Sequence, residues 1–173
     1  MVTCFMLWGR VSGLITRRVI TYGVMTVVLV ATIGCDRVTK RMAAEALAGA
    51  GERSFLADTV RVGYAENAGG FLSLGAEWPA YSRTGVFVVA TGALLAALGL
   101  AMVRARWDSR TLLGATLFLA GGASNWIDRV LHGRVVDFLN LGIGPLRTGV
   151  FNVADVAILL GLGLLVLAYR DLR

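Results

Sequence analysis

Thr84-Gly85-Val86-Phe87-Val88-Val89-Ala90-Thr91-Gly92-Ala93-Leu94-Leu95-Ala96-Ala97-Leu98-Gly99-Leu100-Ala101-Met102-Val103 contains no charged residue and no proline. About 20 apolar residues cross the hydrocarbon core as a helix, and this stretch meets that length outright. Further uncharged runs lie at Val19–Cys35 and Thr111–Ile127, both at the lower limit of a span. A fourth, Val156–Tyr169, reaches that length only by extending back through Asp155 to about Thr148. With 57% hydrophobic residues and a mean hydropathy of +0.72, the chain is too apolar for an ordinary soluble domain. The reading is a mainly α membrane protein: one integral membrane domain over residues 1–173, built as a four-transmembrane-helix bundle with spans at about 18–36, 83–103, 111–128 and 149–169.

Between the spans the texture changes. Residues 36–50 begin Asp36-Arg37-Val38-Thr39-Lys40-Arg41 and continue rich in alanine, so the first helix runs on past the membrane. Ser54–Tyr64 is β-prone and partly alternating, and Val135–Leu141 offers another strand. Together they predict a small sheet at the outer surface. Gly85, Gly92 and Gly99 recur every seven residues, as do Gly114 and Gly121. Such spacing lines a helix face with small residues and lets neighbouring helices approach closely.

The formal charge of +6 does not indicate nucleic acid, because the cations are scattered and lack interleaved aromatics. They fit topology instead. Arg10, Arg17 and Arg18 precede span one, Arg104, Arg106 and Arg110 crowd the second loop, and Arg170 and Arg173 follow span four. Short basic segments stay cytoplasmic. Both termini are therefore expected inside, with outward loops at about 36–83 and 128–147. Arg17-Arg18, an apolar core and Thr32-Ile33-Gly34-Cys35 imitate a cleavable signal, but three more spans argue that this segment is retained. Cys4 and Cys35 fall at opposite ends of the first span and cannot pair. The single histidine, His132, is read as a solvated loop residue, and no cluster has metal-ligand spacing.

Polar residues gather at the outward ends of the spans. Asp36 and Lys40 stand four apart, an acid before a base on one helix face. Gly121, Asn125 and Arg129 follow at four-residue steps, and Asn152 and Asp155 stand three apart. Asp128 reads as a partner of Arg129 or of a backbone donor. An ordinary interfacial ion pair would explain Asp36 and Lys40, and capping or snorkelling would explain Asn125 and Arg129. Asp155 is harder to explain away, since a carboxylate on the threshold of a span is expensive and usually functional. Asp137, in apolar Val135-Val136-Asp137-Phe138-Leu139, supplies a second carboxylate. Two converging aspartates provide an acid and a base for hydrolysis. A transporter would instead place its charges near the midplane and show repeat symmetry, and neither is visible.

Five segments, in order, are Asp36-Arg37-Val38-Thr39-Lys40, Glu66-Asn67-Ala68-Gly69-Gly70-Phe71-Leu72-Ser73, Gly121–Arg129, Val135-Val136-Asp137-Phe138 and Phe151-Asn152-Val153-Ala154-Asp155. They resemble the five signature blocks of lipoprotein signal peptidase (signal peptidase II), a family of integral membrane aspartic peptidases. The resemblance implies a catalytic dyad of Asp137 and Asp155. It implies that Asn67, Asn125, Arg129 and Asn152 line the substrate cleft, with Asp36, Lys40, Gly69 and Gly121 supporting it. It further implies action at the outer face of the bacterial cytoplasmic membrane without cofactor or metal, and a monomer is expected because four spans can enclose the cleft alone. The expected substrate is a diacylglyceryl-modified prolipoprotein cut before the lipidated cysteine. This chain carries Ser124 where the family commonly has glycine, and Gly70-Phe71 where it often has an alanine pair.

Overall fold

The computed structural model describes residues 2–70 and 73–171, with side chains from residue 18 onward. Phe71, Leu72, Arg173 and the side chains of Cys4, Arg10 and Arg17 lie outside the described residues. Helix α1 (Val2–Leu47) is continuous and carries the first apolar run well beyond Cys35, as the alanine-rich extension predicts. It stops where Gly49 takes φ +79°, a left-handed turn that glycine adopts without a steric penalty. A three-residue strand β1 (Arg53–Phe55) pairs antiparallel with β2 (Val60–Asn67), which pairs antiparallel with β3 (Val135–Ile143) and thence β4 (Leu146–Arg147). The expected sheet is present, and it packs Phe138 against Ala43 and Leu47 on the extension of α1.

The second apolar run forms one unbroken helical rod over Ala80–Arg104. Its parts are α2 (Ala80–Arg83), a π-helical stretch (Thr84–Ala90) and α3 (Thr91–Arg104). The π segment has a local cause. The Trp126 indole donates to the Val88 carbonyl at 2.8 Å and the Thr91 hydroxyl to that of Val86 at 3.1 Å, so two backbone acceptors are engaged from outside the normal ladder. Helix α4 (Ser109–His132) is capped by Asp108, whose carboxylate accepts from Arg110 N and Thr111 N, and it ends at Gly133, φ +71°. His132 is thus the last residue of a helix rather than a loop residue. Helix α5 (Val153–Arg170) starts later than the expected 149, because Asn152 caps it.

Among the described residues, three helical segments are long and apolar enough to cross a membrane: Arg18–Leu47, Ala80–Arg104 and Val153–Arg170. Helix α4, 24 residues long, is the fourth member of the bundle. It lies inside the group and buries polar side chains, among them Thr116, Ser124, Asn125 and Asp128.

The small residues explain how α4 and α5 approach. A Cβ on Gly114 would come 2.9 Å from the Gly161 carbonyl oxygen, and one on Gly121 would overlap the carbonyl of Ala154. The seven-residue spacing of Gly114 and Gly121 therefore meets that of Gly161 and Ala154 along one antiparallel seam. The other glycine series behaves differently. Gly92 makes room for the Trp126 indole, whereas a Cβ on Gly85 or Gly99 would meet no atom of another element within 4 Å among the described residues. Replacing Gly161 with alanine puts a methyl 2.6 Å from both Gly114 O and Phe118 N. Gly161→Ala is expected to lower stability by about 1–3 kcal/mol. Gly163→Ala, with open space around it, should be neutral or gain up to about 1 kcal/mol from helix propensity. Thermal unfolding of the two variants side by side checks the seam.

Candidate active site

Antiparallel pairing sets the first half of the site. Ala65 faces Asp137 and Asn67 faces Val135 across β2 and β3, so Asn67 and Asp137 are diagonal neighbours on one face. The Asn67 amide donates to Asp137 Oδ2 at 3.1 Å and to Gly70 O at 3.0 Å, while its oxygen accepts from Gly69 N at 2.9 Å. Gly69 is obligatory at this turn, since a Cβ would lie 2.5 Å from Leu74 O and 2.8 Å from Ala76 N.

The second half hangs from the same strand. Leu139 and Phe151 form an isolated antiparallel bridge, with Leu139 N to Phe151 O at 2.9 Å and Phe151 N to Leu139 O at 2.8 Å. The bridge fixes Asn152 beside Asp137, whose Oδ1 accepts from the Asn152 amide at 2.6 Å. The oxygen of that amide accepts from Asp155 N at 3.0 Å, and Asp155 Oδ2 accepts from Asn152 N at 3.1 Å, a reciprocal capping box. Asn125 completes the ring, donating to Asp155 Oδ1 at 2.9 Å and accepting from Asn152 at 3.2 Å. The two carboxyl groups, far apart in sequence, thus share Asn152 as a hydrogen-bonding neighbour.

Beneath this ring lies a buried charge cluster. Lys40 Nζ reaches Asp36 Oδ2 at 2.6 Å, Asp128 Oδ2 at 2.7 Å and Asn125 Oδ1 at 2.7 Å, saturating its three donors. Fully buried Asp36 also accepts from Ser124 Oγ at 2.7 Å and from Ala154 N, in the first turn of α5, at 2.8 Å. The pair is therefore no exposed interfacial bridge. Asp128 is held by Lys40 and by Arg37 at 2.8 Å, not by Arg129 as its neighbour position suggested. Arg129 turns inward, donating to Asn125 O at 3.2 Å and to Gly69 O, with its guanidinium 5.6 Å from the centre of the Phe87 ring. Among the described residues its buried Nε has no hydrogen-bond partner. A cavity of about 250 Å³ opens here, lined by polar Asn125, Arg129 and Asp155 and by apolar Phe87, Ile158 and Leu159.

All ten residues singled out by sequence are accounted for. Asn67, Asn125, Asn152, Asp137 and Asp155 form the hydrogen-bonded ring, Asp36 and Lys40 lie below it, and Arg129 borders the cavity. Gly69 and Gly121 allow close backbone approach. Ser124, Arg37 and Phe87 were not anticipated as parts of it. Ser124 and Asp128 stand four apart on the face that meets α1, the only sequence signal of their role.

Residues 28–170 match the family described as Signal peptidase (SPase) II. The chain belongs to that family. It is 40% identical over 99 residues to the lipoprotein signal peptidase of Azoarcus sp. (strain BH72), covering 57% of this chain and 53% of that one. It is 34% identical over 97 residues to the lipoprotein signal peptidase of Vibrio parahaemolyticus, covering 56% of each. These alignments span about half the length of the curated SPase II relatives. A bacterial membrane enzyme solved in meso superposes with a TM-score of 0.75 at 24% identity, covering 86% of this chain and 88% of its own, a likeness of fold. A second such structure gives 0.72 at 26% identity, covering 85% and 92%.

Burial pushes the Asp137 carboxyl up to about 6; hydrogen bonds from Asn67 and Asn152 oppose the rise and the nearby charge of Asp155 adds to it. The folded value lies above the ordinary 3.8, so the fold disfavours the ionised form. Wild-type stability is then full below about pH 4 and declines as pH rises through about 6. Asp137→Asn removes the titration while keeping an amide oxygen for Asn152. Its stability relative to wild type should rise across that interval, by at most about 3 kcal/mol. Thermal unfolding of both proteins between about pH 4 and pH 8 reads this out, and a gap independent of pH would contradict it.

Proposed function

We propose that the chain is an aspartic endopeptidase that removes the signal peptide from diacylglyceryl-modified prolipoproteins, cutting on the amino side of the lipidated cysteine. One observation carries the reading: Asp137 and Asp155 are both gripped by Asn152, and Asp155 opens onto a largely apolar cavity at the end of the membrane helices. Membership of the SPase II family supports the substrate class.

In this reading Asp155 is the ionised member. Its oxygens take the Asn152 backbone N–H and the Asn125 amide at the first turn of α5, where the helix dipole favours negative charge. Asp137 is then the member that holds the proton. Asp155 takes a proton from water as the hydroxyl oxygen bonds to the scissile carbonyl carbon, and Asp137 gives its proton to the carbonyl oxygen. The tetrahedral diol collapses when Asp155 returns its proton to the amide nitrogen. The C–N bond breaks, and a hydroxyl proton goes back to Asp137. No covalent enzyme intermediate forms. Arg129 Nε, without a hydrogen-bond partner among the described residues, is a donor available to a substrate carbonyl. The enzyme works as a monomer in the cytoplasmic membrane, with both termini inside and the dyad outside.

Asp137→Asn and Asp155→Asn should each reduce processing of a diacylglyceryl-modified precursor by at least about a thousandfold. Gel-shift assay of the purified variants in lipid measures this, and near-normal cleavage by either one refutes the dyad. For orientation, cysteines placed at Arg106 and Leu56 in a cysteine-free background should label from the cytoplasmic and outer sides respectively. The opposite pattern would invert the proposed topology.

A further inference from the structure

Arg37, Lys40 and Arg41 on α1, His132 at the close of α4 and Arg134 just before β3 together line a cavity of about 440 Å³, within the roughly 300–1,000 Å³ of small-molecule sites. None of the five residues of the hydrogen-bonded ring lines it. Two carboxylates do, and both are already engaged. Asp128 meets Arg37 at 2.8 Å and Lys40 at 2.7 Å; Glu66 meets Arg134 at 2.8 Å and the Tyr64 hydroxyl at 2.6 Å. Four cations against two carboxylates leave the lining with an excess of positive charge. A guanidinium has five N–H donors, and among the described residues Arg37 and Arg134 each meet a single carboxylate oxygen. Arg41 meets Glu45 at 2.7 Å, but the two side chains are 81% and 63% exposed. So open a pair is readily exchanged for another anion.

We propose that this cavity binds an anionic phospholipid, its phosphodiester among Arg37, Arg41 and Arg134 and an acyl chain laid along α1. The level of the cations says which anion is meant. The apolar run of α1 closes at Cys35 and that of α4 at Ile127, so the cations stand just past the hydrocarbon, where basic pockets between helices take lipid headgroups. Helix α1 supplies the track for the chain. Val27, Val30, Gly34 and Val38 follow at steps of three and four residues and share a face with Arg41. The three valines are exposed, and a Cβ on Gly34 would meet nothing within 4 Å. A free phosphate would leave that apolar stripe unused, whereas a phospholipid uses both parts. The lipid would also bridge α1 and the start of β3, so binding should stabilise the folded protein. The site requires no catalysis and stands whether or not the chain cleaves prolipoproteins.

The test compares full-length wild type with Arg41→Gln/Arg134→Gln in a nonionic detergent. Arg104→Gln/Arg106→Gln, at the far end of α3, removes two charges away from the cavity and serves as the control. Each protein is titrated with phosphatidylglycerol, phosphatidylcholine or inorganic phosphate. Native mass spectrometry reads the lipid retained, and thermal unfolding reads the stabilisation. Wild type is expected to hold phosphatidylglycerol at least about tenfold more tightly than phosphatidylcholine, whose ammonium offsets the same phosphate. Arg41→Gln/Arg134→Gln should shrink that ratio at least about fivefold, and the control should keep it within about twofold. Taking the ratio within one preparation cancels any loss of folded protein. A ratio near one in wild type, a ratio unchanged in Arg41→Gln/Arg134→Gln, or an equal loss in both variants overturns the site. Inorganic phosphate that stabilises wild type as much as phosphatidylglycerol does at equal concentration overturns the lipid as its occupant.

Discussion

One primary amide holds the site together. Asn152 spends its oxygen on the first turn of α5 and its nitrogen on Asp137, so the strand and the helix that carry the two aspartates are locked through a single planar group. An amide suits this position because it offers acceptor and donor at once without a charge of its own. Aspartate here would have no donor for Asp137 and would add a third negative group. Leucine would leave a helix N–H and one carboxylate oxygen, Asp137 Oδ1, buried without partners, a penalty of about 1–3 kcal/mol for each such group.

The layer below obeys the same rule for full charges. Lys40 has three protons and three acceptors, and Asp36 and Asp128 each receive at least one further donor. A buried ion pair is tolerated only when its remaining hydrogen-bonding capacity is met, and here α1, α4 and α5 each supply part of that capacity. The three helices are thereby tied by polar contacts at the ends that carry Asp36, Asp128 and Ala154 and by small-residue packing deeper in the bundle. The two devices divide the labour. Glycine and alanine at 114, 121, 154 and 161 set the distance between α4 and α5, while the charge cluster sets the rotation of α1 against both.

Much of this was legible in the sequence because membrane burial makes polar residues conspicuous. Apolar runs gave the bundle, and the carboxylates that interrupt or border them marked the site. Other features were hidden for identifiable reasons. Helical periodicity placed Asp128 beside Arg129 in sequence, yet neighbours one residue apart point to different sides of a helix, and Asp128 faces α1 instead. Strand parity misleads in β2. An irregularity between Val62 and Ala65 shifts the register, so Asn67 shares a face with Asp137 although simple alternation from Val60 and Val62 would turn it away. The heptad glycines of the second span looked like one packing stripe, but among the described residues Gly92 alone of the three meets a neighbouring element; the π-helical stretch changes the phase between Gly85 and Gly92.

The hydrogen bond from Ala154 N to Asp36 joins residues 118 positions apart, and it bears on the order of assembly. The first turn of α5 has its buried acceptor only where α1 is docked against it. Because Asp155 rides on α5 and Asp137 on β3, the two aspartates come into register only where α5 has packed. A nascent chain paused in the bilayer with three helices inserted holds Asp137 alone. A chain without α5 therefore presents one of the two carboxylates and lacks the geometry that pairs them.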